Sequence, residues 1–211
     1  MKKFGRSNVA CASGRDATSA DAVFVVQPGG VLKNVIVGAN SVVGVFCAEQ
    51  NCALENVWFD GACQAAVVVE KGQGMTTVRG GGARHTPQRV VLQKAAGRVQ
   101  VSNFYAEDTA EIVESCSTCG PVKRQVSLSG LECIAPKSAL VRVNKNYNDE
   151  ADIDAVRVKA QPASFAICTH YEGGRTPTQV GSGAHGKLCS FAASSIQYRD
   201  IDSVDDADEG R

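Results

Sequence analysis

A short phrase of alternating apolar and polar residues recurs along this chain at intervals in the twenties. Residues 32–37 (LKNVIV) return as residues 54–59 (LENVWF), 22 positions later. Weaker copies of the phrase occupy residues 101–105, 128–131 and 153–156. Alternation over so few positions, with many β-branched side chains, indicates short β-strands. A period of this length, built from strands, is typical of a solenoid whose coils stack on one another.

A second set of apolar runs follows the repeated phrases, each about ten residues further along. These runs occupy residues 42–45, 65–69, 90–92, 112–113 and 140–143. Two or three strands per turn, with no helix-length amphipathic segment between them, predict an all-β, single-domain parallel β-helix, a solenoid of strands. The alternative interpretation is a chance recurrence of residues that are common in strands.

The repeat also predicts which side chains stack between coils. The inner stack is expected to contain Val35, Val57, Phe104 and Val156. One position earlier, three copies of the phrase carry an asparagine: Asn34, Asn56 and Asn103. These asparagines are expected at one corner of the solenoid, where their side-chain amides would form a ladder between coils.

The chain of 211 residues suits one domain with three parts. Residues 1–20 are polar and mixed, and they are predicted to form an N-terminal cap or irregular segment. Residues 21–190 carry the repeat and are predicted to form the β-helix. Residues 191–211 are predicted to be a disordered acidic tail, because six carboxylates lie between positions 199 and 211.

Composition narrows the classes of partner. The 22 basic and 22 acidic residues balance, so bulk charge indicates neither nucleic acid nor an anionic membrane as a partner. No apolar stretch is long enough to span a bilayer. Aromatic residues make up only 6% of the chain, which suits a narrow core of small stacked side chains.

Nine cysteines favour an oxidising, extracellular location, with a framework of disulfides and one thiol left over. Cys116 and Cys119 form a CxxC pair that is expected to be a structural disulfide. A zinc site would need a second such pair, and a redox site would need a βαβ context. Residues 1–20 lack the pattern of a signal peptide, which suggests a mature fragment, a late start in the gene model, or a copy that has lost its signal.

Several longer phrases stand in a characteristic order between residues 2 and 190. They are LKNVIVGAN (32–40), GVFC (44–47), LENVW (54–58), GGGA (80–83), NFYAED (103–108), SCSTC (115–119), NKNY (144–147), PTQVGSG (177–183) and GKLC (186–189). In order and spacing the chain resembles the secreted pectate lyases of polysaccharide lyase family three, in their fungal and oomycete form. The resemblance implies a right-handed parallel β-helix and calcium-dependent β-elimination of polygalacturonate. The implied partners are polygalacturonate or pectic oligosaccharides, and a monomer is expected.

Calcium in that family is held by carboxylates and acidifies the proton beside the uronate carboxylate. The resemblance places three of the ligand positions on Val43, Gln64 and Ala65, and it places the histidine of the same motif on Phe46. A hard divalent cation is held chiefly by charged oxygens, and none of these side chains supplies one. The sequence therefore predicts no tight calcium site and no metal ligands.

The catalytic lysine of the family falls on Arg89, which is the predicted catalytic residue here. Arginine keeps the positive charge, but a guanidinium is a poor base unless its environment helps. Two further cations of the family fall on Glu111 and Glu114, and each is expected to repel an anionic polymer by roughly 1–4 kcal/mol at contact. Lys123 and Arg124 match a Lys-Arg pair of the family and are predicted to bind a substrate carboxylate.

Other candidate motifs favour structural interpretations. His85, His170 and His185 lie far apart in the chain and are expected on the surface or in loops. The glycine run at residues 80–82 lacks the lysine and helix of a phosphate loop, so a tight turn is expected.

Two functional hypotheses remain. The first is a slow pectate lyase whose calcium is held mainly by the substrate and by Asp60. The second is a non-catalytic β-helix protein of the same descent that binds pectic fragments or a host protein, or that is decaying. Formation of unsaturated uronate from polygalacturonate, followed by its absorbance, distinguishes the two.

Overall fold

The computed structural model describes residues 1–6, 8, 17–39, 41–161 and 165–201. In chain order the strands are β1 (Lys2–Phe4), β2 (Ala22–Val26), β3 (Val31–Val37), β4 (Val43–Cys47), β5 (Ala53–Asp60), β6 (Ala65–Val69), β7 (Met75–Arg84), β8 (Arg89–Gln93), β9 (Gly97–Ser102), β10 (Tyr105–Glu107), β11 (Glu111–Ser115), β12 (Arg124–Ile134), β13 (Ala139–Asn144), β14 (Glu150–Ala160), β15 (Ala166–Glu172), β16 (Thr178–Ser182) and β17 (Ile196–Asp200). Short 3₁₀ turns cover Ser19–Asp21, Lys145–Tyr147 and Ala193–Ser195. In the described ranges no helix is long and apolar enough to cross a membrane.

The strands form two sheets that wind along one axis. The first sheet runs in the order β1-β3-β5-β7-β10-β12-β14-β17, with β9 paired between β7 and β12. The second sheet runs in the order β2-β4-β6-β8-β11-β13-β15-β16. Among these named strands every pairing is parallel except that of β15 with β16. The predicted parallel β-helix is confirmed.

The predicted inner stack is also confirmed. Val35 pairs with Val57 across β3 and β5, and Leu131 pairs with Val156 across β12 and β14. Val57, Phe104 and Val156 are at most 1% exposed, and the half-buried Val35 packs against the same core cluster. Each coil therefore buries its inner face against the coils above and below it.

The corner predicted from the asparagines exists, but its amide ladder is interrupted. Asn34, Asn56 and Asn103 have φ angles of 58°, 52° and 51°, the left-handed region that asparagine tolerates better than most residues. The Asn56 amide donates to Oδ1 of Asn34 at 2.9 Å. The next coil carries Gly80 at this corner, with φ of 64°, so no side chain connects Asn56 to Asn103. The repeated feature is thus the backbone conformation, which glycine also adopts.

The second sheet is buried on both faces over much of its length. Val45, Val67 and Val91 point into the main core of the solenoid. Val43 and Phe46 of β4 and Ala65 and Val68 of β6 form a second apolar cluster on the outer face, together with Ala17, Ala22 and Val42. Residues that precede the repeat therefore cover part of this outer face.

Three disulfides join described residues: Cys47–Cys52, Cys116–Cys119 and Cys168–Cys189. The structural interpretation of the CxxC pair is thus confirmed. Cys133 is a free thiol, and burial raises its pKa to about 12, which keeps it unreactive. Cys11 lies outside the described residues.

Strands at both ends of the first sheet lie outside the range predicted for the β-helix. β1 pairs with β3, so the segment predicted to be an N-terminal cap or irregular segment contains one short strand. β17 pairs with β14, so the first sheet continues past residue 190 into the segment expected to be disordered. The sequence did not predict these two end strands. An end strand packs against a neighbouring coil on one side only, so its apolar repeat is weak. Residues 202–211 lie outside the described part of the chain.

Candidate functional site

The outer face of the second sheet collects the positions that the sequence singled out. Val43 pairs with Ala65, Ala65 with Arg89, and Arg89 with Glu111, in four successive strands. Because strands in a parallel ladder align equivalent residues, these four positions form one row across the coils. The structure thus brings together residues that span 68 positions in sequence, from 43 to 111.

A second row runs beside the first on the same face. Phe46 pairs with Val68, Val68 with Leu92, Leu92 with Glu114, and Glu114 with Arg142. The first row becomes charged at Arg89 on β8, and the second becomes charged one strand later, at Glu114 on β11. The face therefore has an apolar part centred on β4 and β6 and a charged part on β8, β11 and β13. We call the second part the charged cluster: Arg89, Glu111, Glu114 and Arg142.

The apolar part stands where the resemblance places the calcium ligands. Val43 and Ala65 are at most 1% exposed, and Phe46 packs with them in the outer apolar cluster. These side chains offer no oxygen to a cation, and the half-buried Gln64 at the third predicted position offers a neutral amide in place of a carboxylate. Asp60 ends β5 in the other sheet, where its carboxylate lies 2.9 Å from the Lys3 ammonium. The residues present do not fit a calcium ion at this position.

Saturating calcium is expected to leave the melting temperature of the protein unchanged. A site filled at a hundred times its dissociation constant would add about 2.7 kcal/mol to the free energy of unfolding. Differential scanning fluorimetry with and without a chelator measures this, with magnesium as the control cation. A rise in melting temperature that is specific to calcium and is abolished by Asp60→Asn would contradict this expectation. It would show that residues outside positions 43, 64 and 65 hold the ion.

The charged cluster is held together by ion pairs between coils. Nε of Arg89 lies 2.6 Å from Oε2 of Glu114. Nη2 of Arg142 lies 2.5 Å from Oε1 of Glu111, and its Nη1 lies 3.8 Å from Oε1 of Glu114. The guanidinium of Arg142 also stacks on the ring of Tyr171, with 4.6 Å between its Cζ and the ring centroid.

The cations of the cluster face outward and the carboxylates face inward. The side chains of Arg89 and Arg142 are 24% and 26% exposed, whereas those of Glu114 and Glu111 are 10% and 4% exposed. A ligand approaching this face would therefore meet guanidinium groups first. The sequence predicted that Glu111 and Glu114 would repel an anionic polymer. Arg89 and Arg142 pair with these carboxylates and weaken that repulsion.

Glu111 is the most perturbed member of the cluster. Burial raises the pKa of its carboxyl to about 7, against the opposing pull of Arg142. Burial alone would lower the pKa of Arg142, but the attraction of Glu111 and Glu114 outweighs it, so that pKa is raised. Near neutral pH the carboxyl of Glu111 thus takes up or releases a proton beside the positively charged Arg142.

The predicted sugar-binding pair lies elsewhere. Lys123 is exposed and its ammonium lies 2.8 Å from a carboxylate oxygen of Glu150. Arg124 is fully buried at the start of β12. Its guanidinium donates to the carbonyl oxygen of Lys94, just after β8, whereas Arg89 begins that strand. At about 3.3 Å per residue, the backbone positions of Arg89 and Lys94 are roughly 16 Å apart along the chain. The Arg124 guanidinium is held at the Lys94 end, so the structure does not join Arg124 to Arg89 in one site.

Sequence reasoning missed Arg142 and Tyr171. Arg142 is the one charged residue in the apolar run at residues 140–143. A cation in a strand that is otherwise buried normally has a carboxylate partner, which is the available signal. The partner itself was not predictable, because Glu111 lies 31 residues earlier in the chain.

The chain was compared with protein families and with solved structures. The family model described as pectate lyase matches residues 1–177. A probable pectate lyase D of Emericella nidulans is 36% identical over 174 residues, which cover 82% of this chain and 64% of that protein. A probable pectate lyase E of Aspergillus clavatus is 36% identical over 197 residues, which cover 90% of this chain and 74% of that protein. The chain thus spans slightly less than two thirds of the first relative.

Solved structures share the fold at low sequence identity. The pectate lyase PelI of Erwinia chrysanthemi superposes with a TM-score of 0.76 at 18% identity, over 94% of this chain and 68% of that one. The same enzyme in complex with tetragalacturonic acid gives a TM-score of 0.74 at 18% identity, with the same coverage of both chains.

Proposed function

The chain belongs to the pectate lyase family, and from this premise we propose that it binds acidic pectic oligosaccharides without cleaving them by calcium-dependent elimination. The binding surface is the charged cluster on the outer face of the second sheet. The observation that carries the proposal is the division of this face: an apolar part where the calcium ligands are expected, beside two outward-facing arginines.

The charged cluster suits a uronate carboxylate. A guanidinium presents parallel N–H donors that match the two oxygens of a carboxylate, and it is only weakly hydrated. Arg89 and Arg142 are both partly exposed, and their inward partners hold them in place. Tyr171, stacked on Arg142, adds an aromatic surface beside the cation. Galacturonate residues along a pectic chain present such carboxylates repeatedly.

Elimination needs two groups that this face does not supply. Without carboxylates at positions 43, 64 and 65, no cation is held there to acidify the proton beside the uronate carboxylate. Arg89, the predicted catalytic residue, is paired with Glu114. Loss of its proton would leave that largely buried carboxylate without its partner, which opposes a role as a base. The role of Arg89 in the proposal is therefore to hold the substrate.

Replacement of Arg89 with glutamine is expected to weaken binding of tetragalacturonate by about tenfold, because a charge-assisted hydrogen bond contributes about 1.5–3 kcal/mol. Isothermal titration calorimetry at low salt, with calcium chelated, measures the change. Arg79→Gln, on β7 of the first sheet, is the matched control and is expected to bind as the wild type does. Methyl-esterified tetragalacturonate, which lacks the carboxylates, is expected to bind much more weakly than the acid. Lys123→Gln tests the sugar-binding role predicted for that residue.

Three results would contradict the proposal. The first is equal affinity for the acid and its methyl ester, and the second is a loss of affinity in Arg79→Gln but not in Arg89→Gln. The third is a rise in absorbance from unsaturated uronate when polygalacturonate and calcium are added. If Arg89→Ala abolished that rise, the slow-lyase hypothesis and the catalytic assignment of Arg89 would hold instead.

A further inference from the structure

Sulfur and nitrogen ligands gather at the C-terminal end of the second sheet, on and beside the strand that pairs with the Arg142 strand of the charged cluster. Cys168 and His170 lie on β15, and Cys189 lies in the segment after β16. The Sγ atoms of the two cysteines and a ring nitrogen of His170 all lie within 4.8 Å of one another. All three residues are buried. A fourth donor, His185, is exposed, and its ring centroid lies 5.5 Å from that of His170.

His170 and His185 lie far apart in the chain, but the fold brings their rings close together. β15 and β16 form an antiparallel hairpin, and the amide of Gly183 donates to the carbonyl of Cys168 at 2.9 Å. The chain then turns back on itself, since the amide of His185 donates to the carbonyl of Cys189 at 2.8 Å. These contacts place the pair C-x-H of residues 168–170 against the pair H-x₃-C of residues 185–189. Pairs of closely spaced ligands that meet in this way are typical of structural zinc sites.

One ring nitrogen of the buried histidine is fixed by a hydrogen bond to the backbone. Nε2 of His170 lies 2.9 Å from the carbonyl oxygen of Gly183. A carbonyl only accepts hydrogen bonds, so Nε2 carries the proton and Nδ1 keeps its lone pair. Ligating histidines commonly fix their second nitrogen by such a bond to a backbone carbonyl. Nδ1 lies beside Gly181, where an added Cβ would come within 3.1 Å of that nitrogen.

We propose that the Cys168–Cys189 disulfide and the two histidines form a redox-dependent zinc site. In the oxidised protein the disulfide joins β15 to the segment at Cys189. Two molecules of a small thiol reduce it, giving two cysteine thiols and the small-molecule disulfide. Zn²⁺ then displaces the two thiol protons and is held by Cys168, Cys189 and His170, with His185 as the fourth ligand. Sulfur and imidazole donors select zinc over calcium or magnesium.

The consequence is that either a disulfide or a metal ion fastens the same two segments, depending on the redox state. Zinc bound only by the folded chain would stabilise it by mass action. This inference is independent of pectic binding, because the charged cluster shares no residue with the four ligands.

Cobalt(II) binding tests the site, because its spectrum reports thiolate ligands and tetrahedral geometry. The wild type, reduced anaerobically with a phosphine, is expected to bind one equivalent of Co²⁺ with intense visible bands and a thiolate charge-transfer band, and Zn²⁺ is expected to displace it. The untreated protein is expected to show neither band. His185→Ala, at an exposed position, is expected to weaken binding at least about tenfold and to reduce the tetrahedral bands, since ligand-shell changes cost about that much.

The matched control is the double variant Cys116→Ser/Cys119→Ser, which removes another reducible pair and leaves the proposed site intact. It is expected to bind Co²⁺ as the wild type does, whereas His170→Ala is expected to lose the thiolate band. The proposal is overturned if the bands vanish in the control and persist in the histidine variants. It is also overturned if the reduced wild type shows no bands, or loses its strand circular dichroism whether or not Zn²⁺ is present.

Discussion

Replacing Arg124 with methionine is expected to lower the free energy of unfolding by about 2–5 kcal/mol, because each backbone carbonyl left without its donor costs about 1–3 kcal/mol. Its Nε and Nη2 atoms both donate to the carbonyl oxygen of Lys94, at 3.0 and 2.9 Å. Its Nη1 atom donates to the carbonyl oxygen of Val122 at 3.2 Å. Methionine fills much of the same volume but does not donate to these partly buried acceptors. Urea denaturation followed by circular dichroism measures the loss.

The neighbouring lysine provides the control. Lys123→Met changes an exposed side chain and is expected to alter the free energy of unfolding by no more than about 0.5 kcal/mol. If Arg124→Met were as stable as the wild type but bound tetragalacturonate more weakly, the sugar-binding role predicted from the sequence would be correct. The structure would then have to release Arg124 from its backbone contacts when a ligand binds.

Replacing Arg142 with methionine is expected to destabilise the protein by about 3–5 kcal/mol at pH 8, because it leaves Glu111 without its buried partner. The loss is expected to shrink towards pH 5. Glu111 has a folded pKa of about 7, raised above its ordinary value of 4.5, so the folded state binds its proton more tightly than the unfolded state does. The contribution of this group is therefore fully present below about pH 4.5 and is lost as the pH rises through 7. Chemical denaturation at several pH values measures the trend.

Glu111→Gln is the matched control, because it removes the titrating group and keeps its shape. The difference in stability between wild type and this variant is expected to change by a few kcal/mol between pH 5 and pH 8. His170 contributes a trend of opposite sign, since burial lowers its pKa, but that trend is common to both proteins and cancels. A difference that stays constant with pH would mean that Glu111 is ionised throughout. Combining Glu111→Gln with Arg142→Met is expected to restore part of the lost stability.

The period of the coils was predictable because the same short residue pattern recurs along the chain. Spacing between Asn34, Asn56 and Asn103 located the same corner in three coils, and all three residues have the left-handed conformation there. The continuous amide ladder was not correctly predicted, because Gly80 occupies the corner between Asn56 and Asn103. Periodicity locates a backbone position, but the contact that forms depends on the side chain that each neighbouring coil presents.

The site was predictable as a set of positions and not as a network of interactions. Val43, Ala65, Arg89 and Glu111 were identified by resemblance, and the strand register aligns them. The electrostatic character of Glu111 and Glu114 was not predicted, because their partner Arg142 comes from the next coil. Whether a carboxylate repels a ligand depends on its neighbours across the sheet, and a linear sequence does not display them.

The reversed strand β16 bears on whether coils of separate molecules join end to end. A ladder of parallel strands has no intrinsic limit, since each end coil exposes backbone groups that match another coil of the same kind. At one end of the second sheet, β16 runs antiparallel to β15 and occupies that edge. A second molecule approaching there would meet a strand of the wrong polarity for the next parallel step. The hairpin thus ends the parallel ladder at this edge and disfavours its continuation into another molecule. The monomeric state itself stays a prediction.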